Sequence, residues 1–149
     1  MPKSLSSFLF PDLNVWLALS YDRHVHHRAA RDWFLDLHSA VRLCFCRFTQ
    51  IGLLRLLTTD AVMGTDRVLT QVQAWQAYDR WFDSDQVLLL AEPSLLEDTF
   101  RSLSQSSRPA PKDWADSYLI AFAVVAGLRL VTFDQALRRK SEDVLLLSH

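Results

Sequence analysis

The sequence predicts an α/β fold: a parallel β-sheet with helices on both faces. Two observations point there. Short apolar runs of strand character recur along the chain, and segments of helical period separate them. Strands alternating with helices are the signature of βαβ units, whose crossover helices cover both faces of the sheet.

The elements follow in order. "LSSFLF" (residues 5–10) reads as a short strand and "NVWLALS" (14–20) as one or two helical turns. "HHRAARDWFLDLH" (26–38) sets Ala30, Trp33, Phe34 and Leu37 on one helical face. "VRLCFC" (41–46) is strand-like, and "FTQIGLLRLLT" (48–58) is helical with Leu53, Leu54 and Leu57 turned inward. "RVLTQVQAWQAYDRWF" (67–82) predicts a longer amphipathic helix, and "VLLL" (87–90) a strand. "SLLEDTFRSLSQ" (94–105) predicts a helix capped by Ser94, with Glu97 completing a capping box. "SSRPAP" is a loop. "DWADSYLIAFAVVAG" is a strongly apolar helix stopped by Gly127, "LRLVTF" the clearest strand, "DQALRRK" a short helix and "VLLLS" a closing strand.

A chain of 149 residues, half of them hydrophobic, suits a single domain spanning residues 1–149 with a sizeable core. Its most apolar stretch, "SLSSFLFPDLNVWLALS", is interrupted by Pro, Asp and Asn, and lacks a basic leader and a cleavage site. The expectation is a soluble, cytoplasmic protein without a membrane anchor. Cys44 and Cys46, one residue apart, are too close for an unstrained bridge and lack companion zinc ligands. Reduced, buried thiols are expected. The net charge of −1 gives no global sign of nucleic-acid binding.

Chemistry gathers on the acids. Asp12 follows the first strand and Asp134 the "LRLVTF" strand, while Asp116 lies early in an apolar helix. In open parallel sheets, ligands bind beyond the carboxyl ends of the strands, near a switch in strand order. Three carboxylates converging there would repel one another, and a cation would hold them ionised. Oxygen donors without His or Cys suit a hard ion, Mg²⁺ or Mn²⁺. Each acid also has a plainer role. Asp12 can cap the helix after it, Asp134 can cap "QALRRK", and Asp113 and Asp116 can sit in a helix first turn, where the dipole favours them.

"PDLNVWLAL", "RFTQIGLLRLLT", "DWADSYLIAFAVVAG" and "LRLVTFDQAL", in this order, resemble a PIN-domain ribonuclease of the VapC toxin type over nearly the whole chain. The resemblance implies a three-layer α/β/α domain with a central parallel sheet. It implies Mg²⁺- or Mn²⁺-dependent endoribonuclease cleavage of structured RNA, leaving a 5′-phosphate and a 3′-hydroxyl, with inhibition by a cognate antitoxin protein and a homodimeric state. Asp12, Asp116 and Asp134 match the family's acidic positions. Asn14 matches the amide bracing the first acid, and Thr132 the hydroxyl near the last. The departure is Gln50, where many members carry an acid in the helix after the second strand. Gln50 keeps a carbonyl that could orient the attacking water, but drops a negative charge, which argues for weaker cation binding. Asp113, one turn before Asp116, is the nearest substitute acid.

Other features weigh less. His24, His26 and His27 do not share one helical face and read as structural or solvated. Arg55 in "LLRLL" needs a partner, either a structural ion pair or an RNA or site-orienting contact. Trp75, Tyr78 and Trp81 read as packing or interface residues. A haloacid-dehalogenase-like phosphotransferase also opens with a strand and Asp, but needs a second Asp where Asn14 stands. An inactive PIN fold serving as an RNA- or protein-binding module is the alternative that Gln50 motivates.

Overall fold

The computed structural model describes residues 7–148. Five strands form one sheet: β1 (Phe8–Pro11), β2 (Arg42–Phe45), β3 (Val87–Leu89), β4 (Arg129–Thr132) and β5 (Val144–Leu146). Their order across the sheet is β3-β2-β1-β4-β5, and every pairing is parallel. The predicted first strand therefore starts later than its sequence suggests and runs on to Pro11; Leu5 and Ser6 lie outside the described residues.

Eight α-helices connect the strands. After β1 come α1 (Leu13–Ser20) and α2 (His27–Leu35), and after β2 come α3 (Arg47–Leu57), α4 (Asp60–Met63) and α5 (Gln71–Arg80). After β3 the chain forms α6 (Leu96–Leu103) and α7 (Asp113–Ala126), and α8 (Gln135–Lys140) joins β4 to β5. The chain builds outward from β1 to β3, then returns to lay β4 against the other side of β1. That reversal is the switch point, and it lies between the ends of β1 and β4.

Strand periodicity sorts the side chains into two cores. Leu9, Leu43, Phe45 and Val131 enter one with Trp16, Leu53, Leu57 and Tyr78. Phe10, Cys44, Leu130 and Val144 enter the other with Leu119, Ile120, Phe122 and Leu137. Aromatic stacks tie each layer down: Trp16 on Phe45 with centroids 3.8 Å apart, and Phe10 on Phe122 at 5.0 Å. Helix α3 approaches α1 closely at Gly52, where a Cβ would lie 2.8 Å from a methyl of Leu13. Gly127 ends α7 in the left-handed region, φ 72°, as its position predicts.

Two helix starts differ from expectation. Helix α5 begins at Gln71, not Arg67, because Thr70 and Gln73 form a capping box and the Leu69 amide is drawn to the Leu57 carbonyl. Ser94 does not cap α6: the Leu96 amide bonds to the Pro93 carbonyl, and that turn delivers the chain into a helix capped at Leu95 without a side-chain bond. The short α4 and the 3-10 turn at Trp81–Asp83 have no strong periodic signal behind them. Both cysteines are buried and reduced, as expected. Among the described residues no helix is long and apolar enough to cross a membrane.

Candidate active site

Asp12 stands one residue beyond β1, and its backbone amide extends the ladder by donating to the Val131 carbonyl at 2.7 Å. The carboxylate is therefore pinned at the switch point. One oxygen accepts from the Leu13 amide at 2.7 Å, which caps α1. The other accepts from the Thr132 hydroxyl at 2.9 Å. The capping role and the site role thus fall on the same side chain.

Thr132, fully buried at the end of β4, is the hub of the cluster. Its oxygen donates to Asp12 and accepts from the Asp134 amide at 3.0 Å and the Asn14 side-chain amide at 3.3 Å. The Asn14 carbonyl oxygen accepts from the Phe133 amide. Asn14 and Thr132 consequently lock the β1 and β4 ends together across 118 residues of sequence. Asp134 caps α8 through the Ala136 amide at 2.8 Å, leaving its carboxylate exposed on the same edge.

Asp116 enters from the first turn of α7. Its Oδ2 lies 2.6 Å from Lys140 Nζ, which also reaches Asp113 Oδ1 at 2.8 Å. Burial pushes the Asp12 carboxyl above the usual carboxylate range; the Thr132 and Leu13 hydrogen bonds pull it back in part, and the charges of Asp116 and Asp134 raise it again. Asp12 thus lies close enough to feel the charges of the other two acids. The three are not drawn into a tight cage: among the described residues no three acidic, His or Cys side chains stand close enough to enclose an ion as placed. The donor set nonetheless suits a hard divalent ion, being oxygen-only and negatively charged, with Lys140 as the cation that an ion would displace from Asp116.

Gln50 is buried, with 4% exposure, in the first turns of α3. Its carbonyl oxygen is taken by Arg47 Nη1 at 2.6 Å, so it is committed to a guanidinium rather than turned free to the acids. Arg55 lines a groove with Ile51, Leu54, Thr58, Gln71 and Trp75, and no ion pair involves it among the described residues. The histidines are largely structural: the His24 ring accepts from the His26 amide, and His27 Nδ1 donates to the Ala18 carbonyl at 2.7 Å. His26 does touch the site's frame, stacking on Phe133 with centroids 4.4 Å apart. Trp75 is exposed while Tyr78 is buried against Phe45.

Lys140 is the residue that sequence reasoning missed. It closes a run of three cations at the end of α8, where a favourable interaction with the helix dipole already accounts for it. Only the packing of α8 beside α7 shows that one of the three turns back onto two carboxylates.

A protein-family model described as PIN domain matches residues 9–143. The chain belongs to the PIN-domain family. Within it, the chain is 46% identical to Ribonuclease VapC41 of Mycobacterium tuberculosis over 131 residues, covering 86% of this chain and 90% of that protein. It is 32% identical to Ribonuclease VapC39 of the same organism, covering 85% and 88%. These relatives place it among the VapC ribonucleases of the PIN family. The fold is also that of the crystal structure of M. tuberculosis VapC20, a sarcin-ricin loop cleaving toxin (TM-score 0.62, 16% identity, 88% of this chain and 93% of that one).

Proposed function

We propose that this PIN-domain chain is a Mg²⁺- or Mn²⁺-dependent endoribonuclease, the toxin of a toxin–antitoxin pair. The observation that carries the reading is Asp12, fixed at the switch point by Thr132 and sensing the charges of Asp116 and Asp134. Its kinship with ribonucleases named VapC supplies the reaction class.

Asp12, Asp116 and Asp134 would hold the ion. When bound, a divalent cation polarises a phosphoryl oxygen and lowers the pKa of a water for in-line attack. The chain's own contribution is positioning. Thr132 aims Asp12, Asn14 holds the two strand ends in register, and Asp134 is oriented by its cap. Lys140 would release Asp116 to the ion, with Asp113 remaining as its anchor. Gln50 holds Arg47 at the rim, where a guanidinium suits an incoming phosphodiester. The substrate is a structured RNA, and the products carry a 5′-phosphate and a 3′-hydroxyl. The protein acts in the cytoplasm, is silenced by a cognate antitoxin and assembles as a homodimer.

A second reading, an inactive binding module, is favoured by one observation: the amide at position 50 carries no charge and faces Arg47. The deciding experiment incubates antitoxin-free protein with structured RNA and maps the new 5′ ends. Cleavage that needs Mg²⁺ or Mn²⁺, stops in EDTA and vanishes in Asp12→Ala supports the nuclease. Full cleavage in excess EDTA refutes the metal mechanism, and RNA binding without any cleavage favours the module.

A further inference from the structure

Beside the acids lies a cavity of about 330 Å³ that the proposed chemistry does not use. It is formed by the end of α6, the loop that follows, and the start of α7, with Leu103, Gln105, Arg108, Pro111, Asp113 and Trp114 on its walls. Its size falls at the low end of pockets that enclose small organic groups. Trp114 is 60% exposed, which leaves its indole open to a ligand in the cavity. Its indole is not loose: Phe100 holds it edge-on with centroids 6.3 Å apart. Across the loop, Ser106 accepts from the Arg108 amide and donates to the Arg108 carbonyl, fixing the turn from which the exposed arginine projects.

We propose that this cavity is a subsite for one nucleotide of a single-stranded RNA segment, its base stacked on Trp114 and its phosphate met by Arg108. The proposal rests on the nuclease reading for its choice of RNA over other ligands. Two features support that choice. The cavity is continuous with the acid edge, because Asp113 lines it and shares Lys140 with Asp116. It also pairs the two groups a nucleotide needs, a flat aromatic face and a planar multi-donor cation. The negative charge of Asp113, which would repel a phosphate, is offset by Lys140.

The test is fluorescence anisotropy of a labelled ten-nucleotide single-stranded RNA of mixed sequence, titrated with full-length protein in EDTA so that no cleavage occurs. Base–aromatic stacking predicts that Trp114→Ala weakens binding roughly tenfold and that Trp114→Phe restores most of it. Arg108→Ala lowers the slope of log affinity against log salt by about 0.7, the value for one phosphate contact on a single strand. Because Trp114 is exposed and only its edge contact with Phe100 is lost, Trp114→Ala melts within about 4 °C of the parent and Trp114→Phe closer still. No binding by the unaltered protein, equal affinity in Trp114→Ala, or an unchanged salt slope in Arg108→Ala overturns the subsite. Loss of antitoxin binding in Trp114→Ala with RNA binding intact also overturns it, and assigns the cavity to a protein partner. Cleavage of a structured RNA that presents the same segment in a loop is scored separately with Mn²⁺. Binding without cleavage counts against the nuclease reading alone, and cleavage that ignores Trp114 counts against the subsite alone.

Discussion

Lys140 Nζ lies 2.6 Å from Asp116 Oδ2, so a side chain of the protein itself sits where a bound cation would draw this carboxylate. Burial disfavours the lysine's charge, yet its hydrogen bonds to Asp113 and Asp116, and their charges, outweigh that and raise its pKa. The stability this lends is fully present at neutral pH and disappears only as pH rises through the raised value, above 10.5.

Removing that cation separates stability from metal binding. With the lysine a third exposed, the pair is worth at most about 1 kcal/mol. Lys140→Met is expected to lower the melting temperature of the metal-free protein by about 2–4 °C. It is expected to tighten Mn²⁺ binding by up to about thirtyfold, because one unit charge about 4 Å from a divalent ion is worth about 2 kcal/mol even in a high dielectric. Differential scanning calorimetry and a Mn²⁺ titration read the two changes.

Asp12 carries a cost of the opposite kind. Its carboxyl is raised first by burial, and also by the neighbouring acids. A carboxyl raised in the folded state favours folding at low pH, and that benefit is lost as pH rises through its folded value. In the metal-free protein the ionised form of Asp12 is therefore the costlier one, and the cost grows as pH rises. Asp12→Asn is expected to melt higher than the parent at pH 7 without metal, to show a smaller difference near pH 4, and to cleave no RNA. Thermal melts at the two pH values in EDTA check the sign.

The Thr132 hydroxyl is buried and makes three hydrogen bonds. Thr132→Val keeps the volume but leaves Asp12, Asn14 and the Asp134 amide without this partner, at a cost of about 1–3 kcal/mol. Thr132→Ser retains the hydroxyl and is expected to keep most of the activity. Urea unfolding and cleavage rates of the two variants separate loss of the hydroxyl from loss of the methyl.

Trp16 supports the site from beneath. It is fully buried, stacked on Phe45 and edge-on to Trp81. Trp16→Ala is expected to cost about 3–5 kcal/mol by urea unfolding. Among the described residues its Nε1 has no hydrogen-bond partner, so Trp16→Phe loses ring volume but frees no polar group, and should cost clearly less.

How much of this was legible in the sequence depends on what set each feature. Strand–helix alternation is a local pattern, so the parallel sheet and the positions of Asp12 and Asp134 beyond two strands could be read directly. Their bonding through Thr132 could not be derived from spacing, because 120 residues separate Asp12 from its partner; the resemblance placed the Thr132 hydroxyl only near Asp134 and gave the bracing of Asp12 to Asn14, which bonds instead to Thr132 and Phe133. The start of α5 was missed because Thr70 outcompeted a longer run of helical period. Gln50 stands out in the sequence as an uncharged side chain where the resemblance implies an acid, but its bond to Arg47 depends on side-chain packing at the mouth of α3. Lys140 was hidden by a sufficient local explanation, the cationic end of a helix.

The account turns on one divalent ion shared by Asp12, Asp116 and Asp134. Calorimetric titration of Mn²⁺ into metal-free protein tests this most directly, alongside the single Asp→Asn variant at each of the three positions. The prediction is one ion per chain, with affinity at least about tenfold weaker in every variant, as follows from removing a charged ligand worth more than about 1.4 kcal/mol. An unchanged affinity in any of the three would contradict it.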